Sequence, residues 1–162
     1  MKRILQILTI VVSIVTVFSS CSTNTDNLSF ETVQDRVIGK WTVRKVKLLD
    51  NKRLFSSNIT DLYKDFTFEF RADNTLEVFN ATENRLLSGA WYLEEVWSWD
   101  ADDQENESSF NIYSIVYDPD DSSIYREMYW KDLRVNNNSM SINESRLADD
   151  GETHNYSFEF RR

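Results

Sequence analysis

Residues 65–80 read DFTFEFRADNTLEVFN. Phe66, Phe68 and Phe70 share one parity, Thr67 and Glu69 the other, and Leu76 and Val78 keep phase after the break. Side chains of a strand point alternately to its two faces. A two-residue period of this kind therefore belongs to a sheet that is oily on one side and wet on the other. Ala72-Asp73-Asn74 supplies a tight turn between the two runs, so the stretch is expected to be a hairpin.

The same alternation recurs on both sides of this hairpin. In LLSGAWYLEEVWSW, Leu87, Trp91, Leu93, Trp97 and Trp99 fall in one phase, interrupted by Gly89 and Glu95. SFNIYSIVY at 109–117 is apolar in both phases. SIYREMYWKDLRV at 123–135 carries Met128 and Trp130 in one phase and Tyr125 and Tyr129 in the other. Met140 and Ile142 alternate in SMSIN, and Tyr156, Phe158 and Phe160 in NYSFEF. The connectors DPDD, NNN and ADDG carry turn chemistry.

In GKWTVRKVKLL, Trp41 and Val43 share a phase while Val46 and Leu48 share the opposite one. A slip between Arg44 and Lys45 is what a β-bulge produces, and a bulge helps a sheet curl. Two stretches have helical character. SSNITDLYKD at 56–65 offers Ser57 or Asn58 as an N-cap for a turn or two. SFETVQDRVIG spaces Phe30, Val33 and Val37 as a short helix would, fit to lie across one end of the strands that follow, with coil as the alternative.

The count gives eight strands, at 39–49, 65–71, 75–80, 86–97, 109–117, 123–134, 138–145 and 154–161. Short links make sequence neighbours antiparallel. The expected fold is all-β: an eight-stranded antiparallel up-and-down meander closed into a barrel, because closure removes the free edges. A two-sheet sandwich is the competing solution. At eight strands the interior holds side chains or one small ligand.

Ahead of the strands, Lys2 and Arg3 precede an apolar run, ILQILTIVVSIVTVF, at 4–18. This is a positive n-region followed by a short h-region, marginal against the roughly 20 apolar residues of a membrane span. Cys21, the single cysteine of the chain, follows Ser19 and Ser20. Phe18-Ser19-Ser20-Cys21 resembles a bacterial lipobox. That resemblance implies cleavage before Cys21, with a diacylglycerol on its sulfur and an acyl chain such as palmitate on the new amine. Two or three chains anchor a protein stably where one does not. The alternative is an ordinary secretory signal with a stray cysteine behind it. The expected organisation is a lipoprotein signal peptide at 1–20, a lipidated tether with a possible short helix at 21–36, and one barrel domain at 37–162. No aspartate follows Cys21 directly, which favours the outer membrane of a bacterial envelope.

The net charge of −9 becomes −11 once Lys2 and Arg3 are removed with the signal. Such a domain repels phosphates, so nucleic acid is not an expected partner.

Gly39-Lys40-Trp41 at the head of the first strand resembles the Gly-x-Trp signature of the lipocalins, and Gly89-Ala90-Trp91 repeats the spacing. With the lipobox and the closing YSFEFRR, the chain resembles the lipocalin-like lipoproteins of bacterial envelopes over residues 38–162. The resemblance implies that an arginine near the last strand, Arg161 or Arg162, packs over Trp41. It also implies a ligand-binding interior. The chain lacks the disulfide, C-terminal helix and longer loops of secreted lipocalins.

The inward aromatics Trp41, Phe66, Phe68, Phe70, Trp91, Tyr156 and Phe158 are candidates to line a pocket for an apolar molecule, or to fill the barrel solid. Glu95, in phase with Trp91 and Leu93, either anchors a polar ligand group or lies at the rim. His154 is the one histidine, and with the thiol consumed by lipid the parts for a hydrolytic triad or a zinc site are missing. The acidic run DADDQENE at 100–107 reads as a solvated loop rather than a calcium site. No cofactor, metal or catalytic residue is expected. The expected function is a membrane-anchored lipocalin-like lipoprotein that binds a small apolar or amphipathic ligand. The alternative is a non-catalytic structural or interaction lipoprotein with a filled barrel that contacts another envelope protein.

Overall fold

The computed structural model describes residues 28–49, 56–100, 105–121, 123–147 and 151–162. The expected signal peptide, Cys21 and residues 22–27 of the expected tether lie outside the described residues. Among the described residues a helix, α1 (Phe30–Val37), comes first, followed by β1 (Gly39–Leu49), a two-residue strand β2 (Ser57–Asn58) and a 3₁₀ turn at Thr60–Leu62. Then come β3 (Phe66–Phe70), β4 (Thr75–Asn80), β5 (Arg85–Asp100), β6 (Glu105–Tyr117), β7 (Tyr125–Val135), β8 (Ser139–Leu147) and β9 (Thr153–Arg161).

Strands β3 to β9 pair antiparallel in sequence order, and β1 pairs with both β3 and β9. That last pairing closes an eight-stranded barrel and leaves no sandwich edges; β2 is a short extra rung beside β1. The β1–β9 register shifts between Val43 and Lys45, so the expected bulge falls at Arg44 and swings Val46 back to the interior. A second shift, between Lys131 and Arg134 in β7, was not expected. There Asp132 takes a positive φ of 53°, and Leu133 and Val135 are buried where Met128 and Trp130 had been.

The hairpins are tied by Asx side chains, which hydrogen-bond backbone two residues on and so favour turns. Asp73 accepts from Thr75 N (3.0 Å), Asn80 from Thr82 N (3.1 Å), Asp118 from Asp120 N (2.9 Å) and Asn136 from Asn138 N (2.9 Å). The acidic run at 100–107 is not one loop. Strand β5 runs through Asp100 and β6 begins at Glu105, pairing Asp100 with Glu105. Alternation of Trp97 and Trp99 with polar residues carries the hairpin further than the turn-like acids suggested.

Helix α1 closes one end of the barrel. Ser29 caps it, its Oγ accepting from Thr32 N at 3.3 Å, and Glu31 and Arg36 sit at the dipole-favourable ends. Its inner face puts Val33 and Val37 into the core, fully buried, and Phe30 against Phe110 at 6.4 Å. Trp41 seals the joint, donating from Nε1 to Val37 O at 2.8 Å. Arg162, not Arg161, covers it. Its guanidinium stands 4.7 Å above the indole and donates to the carbonyls of Arg36 and Ile38, each at 2.7 Å. Gly39 belongs to the same arrangement: its φ is +138°, and a Cβ there would lie 3.4 Å from the Arg162 guanidinium. None of the helices among the described residues is long and apolar enough to cross a membrane.

Candidate functional site

The barrel has two unlike halves. Toward the helix it is solid. Strands β3 and β7 stand four places apart in the eight-place ring, on opposite walls, yet Phe68 and Trp130 meet edge to face with centroids 5.3 Å apart. Phe160 joins Phe68 at 5.5 Å and Trp130 at 5.8 Å, and Phe70 meets Trp91 at 5.3 Å. Aromatic pairs at these distances and tilts are favourable beyond their burial, and rings that touch across the axis leave no channel there.

Of the candidate pocket residues, Trp41, Phe68, Phe70, Trp91 and Phe158 are therefore buried in this aromatic core. Phe66 and Tyr156 lie partly buried at its edge, toward the end away from the helix. Glu95 is partly buried on β5 opposite Phe110, on the helix side, so it does not join Tyr156 and Phe66. It shares the phase of Trp91, but its neighbour two residues on, Trp97, is already 63% exposed, which places Glu95 at the rim.

Toward the end away from the helix, the inward positions change character. On β7 Arg126 continues the phase of Met128 and Trp130; on β8 Glu144 and Arg146 continue that of Met140 and Ile142. Glu144 is only 3% exposed. A carboxylate so buried must be paired, and Arg146 grips it with a two-pronged fork, Nε to Oε1 at 2.7 Å and Nη2 to Oε2 at 2.5 Å. Arg146 Nη1 donates to the Tyr63 hydroxyl at 3.0 Å, and its guanidinium lies 4.9 Å over the Tyr156 ring. Tyr63 reaches this place because the Thr60–Leu62 turn folds across the barrel end. Asn58 Oδ1 accepts from Thr60 N and from Thr60 Oγ1, which in turn accepts from Val46 N at 2.9 Å. The Tyr63 ring then sets its edge on Phe158 at 5.4 Å.

The two arginines differ electrostatically. Burial works against the charge of Arg146, but the hydrogen bonds and charge of Glu144 outweigh it and hold its pKa above the ordinary value. For Arg126, burial comes first and the like charge of Arg146 second, and together they pull it below its ordinary value despite Glu144. At the rim, Asp118 takes a 2.7 Å bond from Arg85 Nε. The backbone N–H of Asp120 above all, then Arg85, keep the Asp118 carboxyl below its usual range. Among the described residues, Ser114 Oγ and Trp130 Nε1 are buried without a hydrogen-bond partner. Such atoms are rare in folded proteins.

Arg126, Glu144, Arg146, Tyr63 and Ser114 were not among the sequence candidates. For the strand residues a signal was present in the phase: Arg126 follows the parity of Met128 and Trp130, and Glu144 and Arg146 that of Met140 and Ile142. Among the described residues, no group of three or more His, Cys, Asp or Glu side chains is placed to hold a metal ion; residues 101–104 of the acidic run lie outside the described residues. The architecture is compatible with a lipocalin-like fold. Compared with protein-family models, with curated proteins and with solved structures, the chain matches none.

Proposed function

We propose that this protein is a lipid-anchored binding module of the bacterial outer membrane, tethered through acylated Cys21, whose barrel takes a small amphipathic ligand at the end away from the helix. The observation that carries the reading is the contrast between the halves. A barrel built only for stability would continue its apolar interior to both ends, since buried charges are weak stabilisers. Here one half is solid aromatic and the other turns Arg126, Glu144 and Arg146 inward. The reading assigns the protein no catalytic step and no cofactor. The test is to purify the full-length chain from its native membrane, extract it, and identify bound small molecules by mass spectrometry, then titrate a fluorescent fatty acid. Co-purified amphiphile or saturable uptake supports the reading; neither, across repeated preparations, refutes it.

A second reading, an interaction lipoprotein that meets another envelope protein, is favoured by the outer wall. Tyr92, Tyr113 and Tyr129 stand in register across β5, β6 and β7, with Tyr117 beside Tyr125 at 6.1 Å. Glu127 and Glu94 accept from the Tyr113 and Tyr129 hydroxyls at 2.8 and 2.9 Å. An aromatic face edged with acids suits a protein surface.

A further inference from the structure

The far end of the barrel holds a charge imbalance. Among the described residues, two guanidiniums, Arg126 and Arg146, face one carboxylate, Glu144. Arg146 occupies both Glu144 oxygens, so Arg126 shares an already engaged acid, lies close to a like charge and has the Tyr63 hydroxyl as its hydrogen-bond partner. At the same rim, Asp118 is taken by Arg85.

Among the described residues, the two buried polar atoms without a hydrogen-bond partner belong to the same inward walls. Ser114 stands opposite Met128, one inward row below Arg126, and is fully buried. Trp130 stands a row lower, in register with Glu144, and is 1% exposed. An indole N–H donates only, and a hydroxyl donates as readily as it accepts. Among the described residues, a surplus positive charge above two such groups asks for an acceptor that carries one negative charge.

We infer that Arg126, Arg146 and Tyr63, with Ser114 and Trp130 beneath them, form a site for the carboxylate of a small monoanionic amphiphile. This rests on the reading above, that the barrel takes a ligand at this end. One surplus charge matches a carboxylate rather than a doubly charged phosphate, and a planar guanidinium presents paired donors to it. The ligand enters head first. The Phe68–Trp130 contact closes the axis below, so an apolar tail stays at the rim, where Leu62 and Leu147 are 71% and 76% exposed.

The test uses the full-length chain in phosphatidylcholine nanodiscs, dialysed against labelled octanoate, octanol or octylammonium, with empty nanodiscs as the blank. Octanoate is expected to bind saturably and at least tenfold more tightly than octanol, and octylammonium not at all. Arg126→Met should lose tenfold or more in octanoate affinity while keeping its near-UV dichroism, and Arg126→Lys should lose less. Equal affinity for octanol and octanoate, or an Arg126→Met variant that binds octanoate as well as wild type, overturns the carboxylate site but leaves a ligand-binding barrel. Saturable uptake of none of the three removes both. If Arg126→Met loses its near-UV dichroism, the wild-type ranking of the three amphiphiles decides alone.

Discussion

Gly89→Ala is expected to be among the most damaging small substitutions in the barrel. A Cβ at position 89 would stand 2.0 Å from Ile115 O and 2.8 Å from Val116 Cα. Both are backbone atoms of β6, which cannot rotate away as a side chain end can. Reaching 3.4 Å, the edge of ordinary contact, requires β5 to retreat from β6 by roughly 1.4 Å at the Gly89–Val116 pair. That strains the ladder bonds on either side, each worth about 1 kcal/mol net, on top of an overpacking cost of about 1–3 kcal/mol. Against this, alanine restricts the unfolded chain and recovers about 0.4–1 kcal/mol. The net expectation is a loss of about 3 kcal/mol, a large share of the 5–15 kcal/mol typical of a domain. Urea unfolding of the purified chain followed by tryptophan fluorescence reads it directly. Gly151→Ala is the control. Nothing lies within 4 Å of its added Cβ, and the cost comes from its φ of +80° alone, about 1–2 kcal/mol. A Gly89→Ala midpoint indistinguishable from wild type would refute the close approach of β5 and β6.

Other consequences are equally open to measurement. Arg162→Met removes the stack on Trp41 and two bonds to carbonyls, so it should cost about 1–3 kcal/mol in urea unfolding, whereas Arg161→Met should cost under about 0.5 kcal/mol. Trp130→Phe deletes the unpartnered N–H along with some volume, two effects that oppose each other, so it should fall within about 1 kcal/mol of wild type; Trp130→Ala should lose about 3–5 kcal/mol. Asp73, Asp118 and Asp121 each have a carboxyl pKa held down, chiefly by backbone N–H groups or, for Asp121, first by the Ser123 hydroxyl. A group depressed in the folded state stabilises above its unfolded pKa of about 4 and loses that contribution as pH falls through the folded value. Stability measured from pH 7 to pH 2.5 should decline below about pH 4, and Asp118→Asn should flatten that decline. Labelled palmitate should enter the wild-type chain in its bacterial host and not the Cys21→Ala variant; equal labelling would remove the anchor.

The sequence was most legible where burial is one-sided. Phe66, Phe68 and Phe70 alternate because one face of β3 is core, and the parity change after Val43 announced the bulge at Arg44. The identical sign in β7, where Trp130 gives way to Leu133, went unread because Tyr125 and Tyr129 make both parities look apolar. The closing arginine was narrowed to two neighbours. Choosing between them depends on the strand ending at Arg161, which leaves Arg162 free to turn over the helix joint. The charged site was harder. Glu144 and Arg146 sit two apart and face inward together only because β8 enters the barrel at Met140. Tyr63, in a turn, has no strand phase at all to announce where it points.

Backbone amide shifts of labelled full-length chain during octanoate titration test the central claim, that binding chemistry resides at the end away from the helix. Saturable shifts are expected to centre on Tyr63, Arg126, Glu144 and Arg146, with Trp41, Phe70 and Trp91 unmoved. Shifts concentrated at the helix end, or spread along the outer tyrosine face, would contradict it.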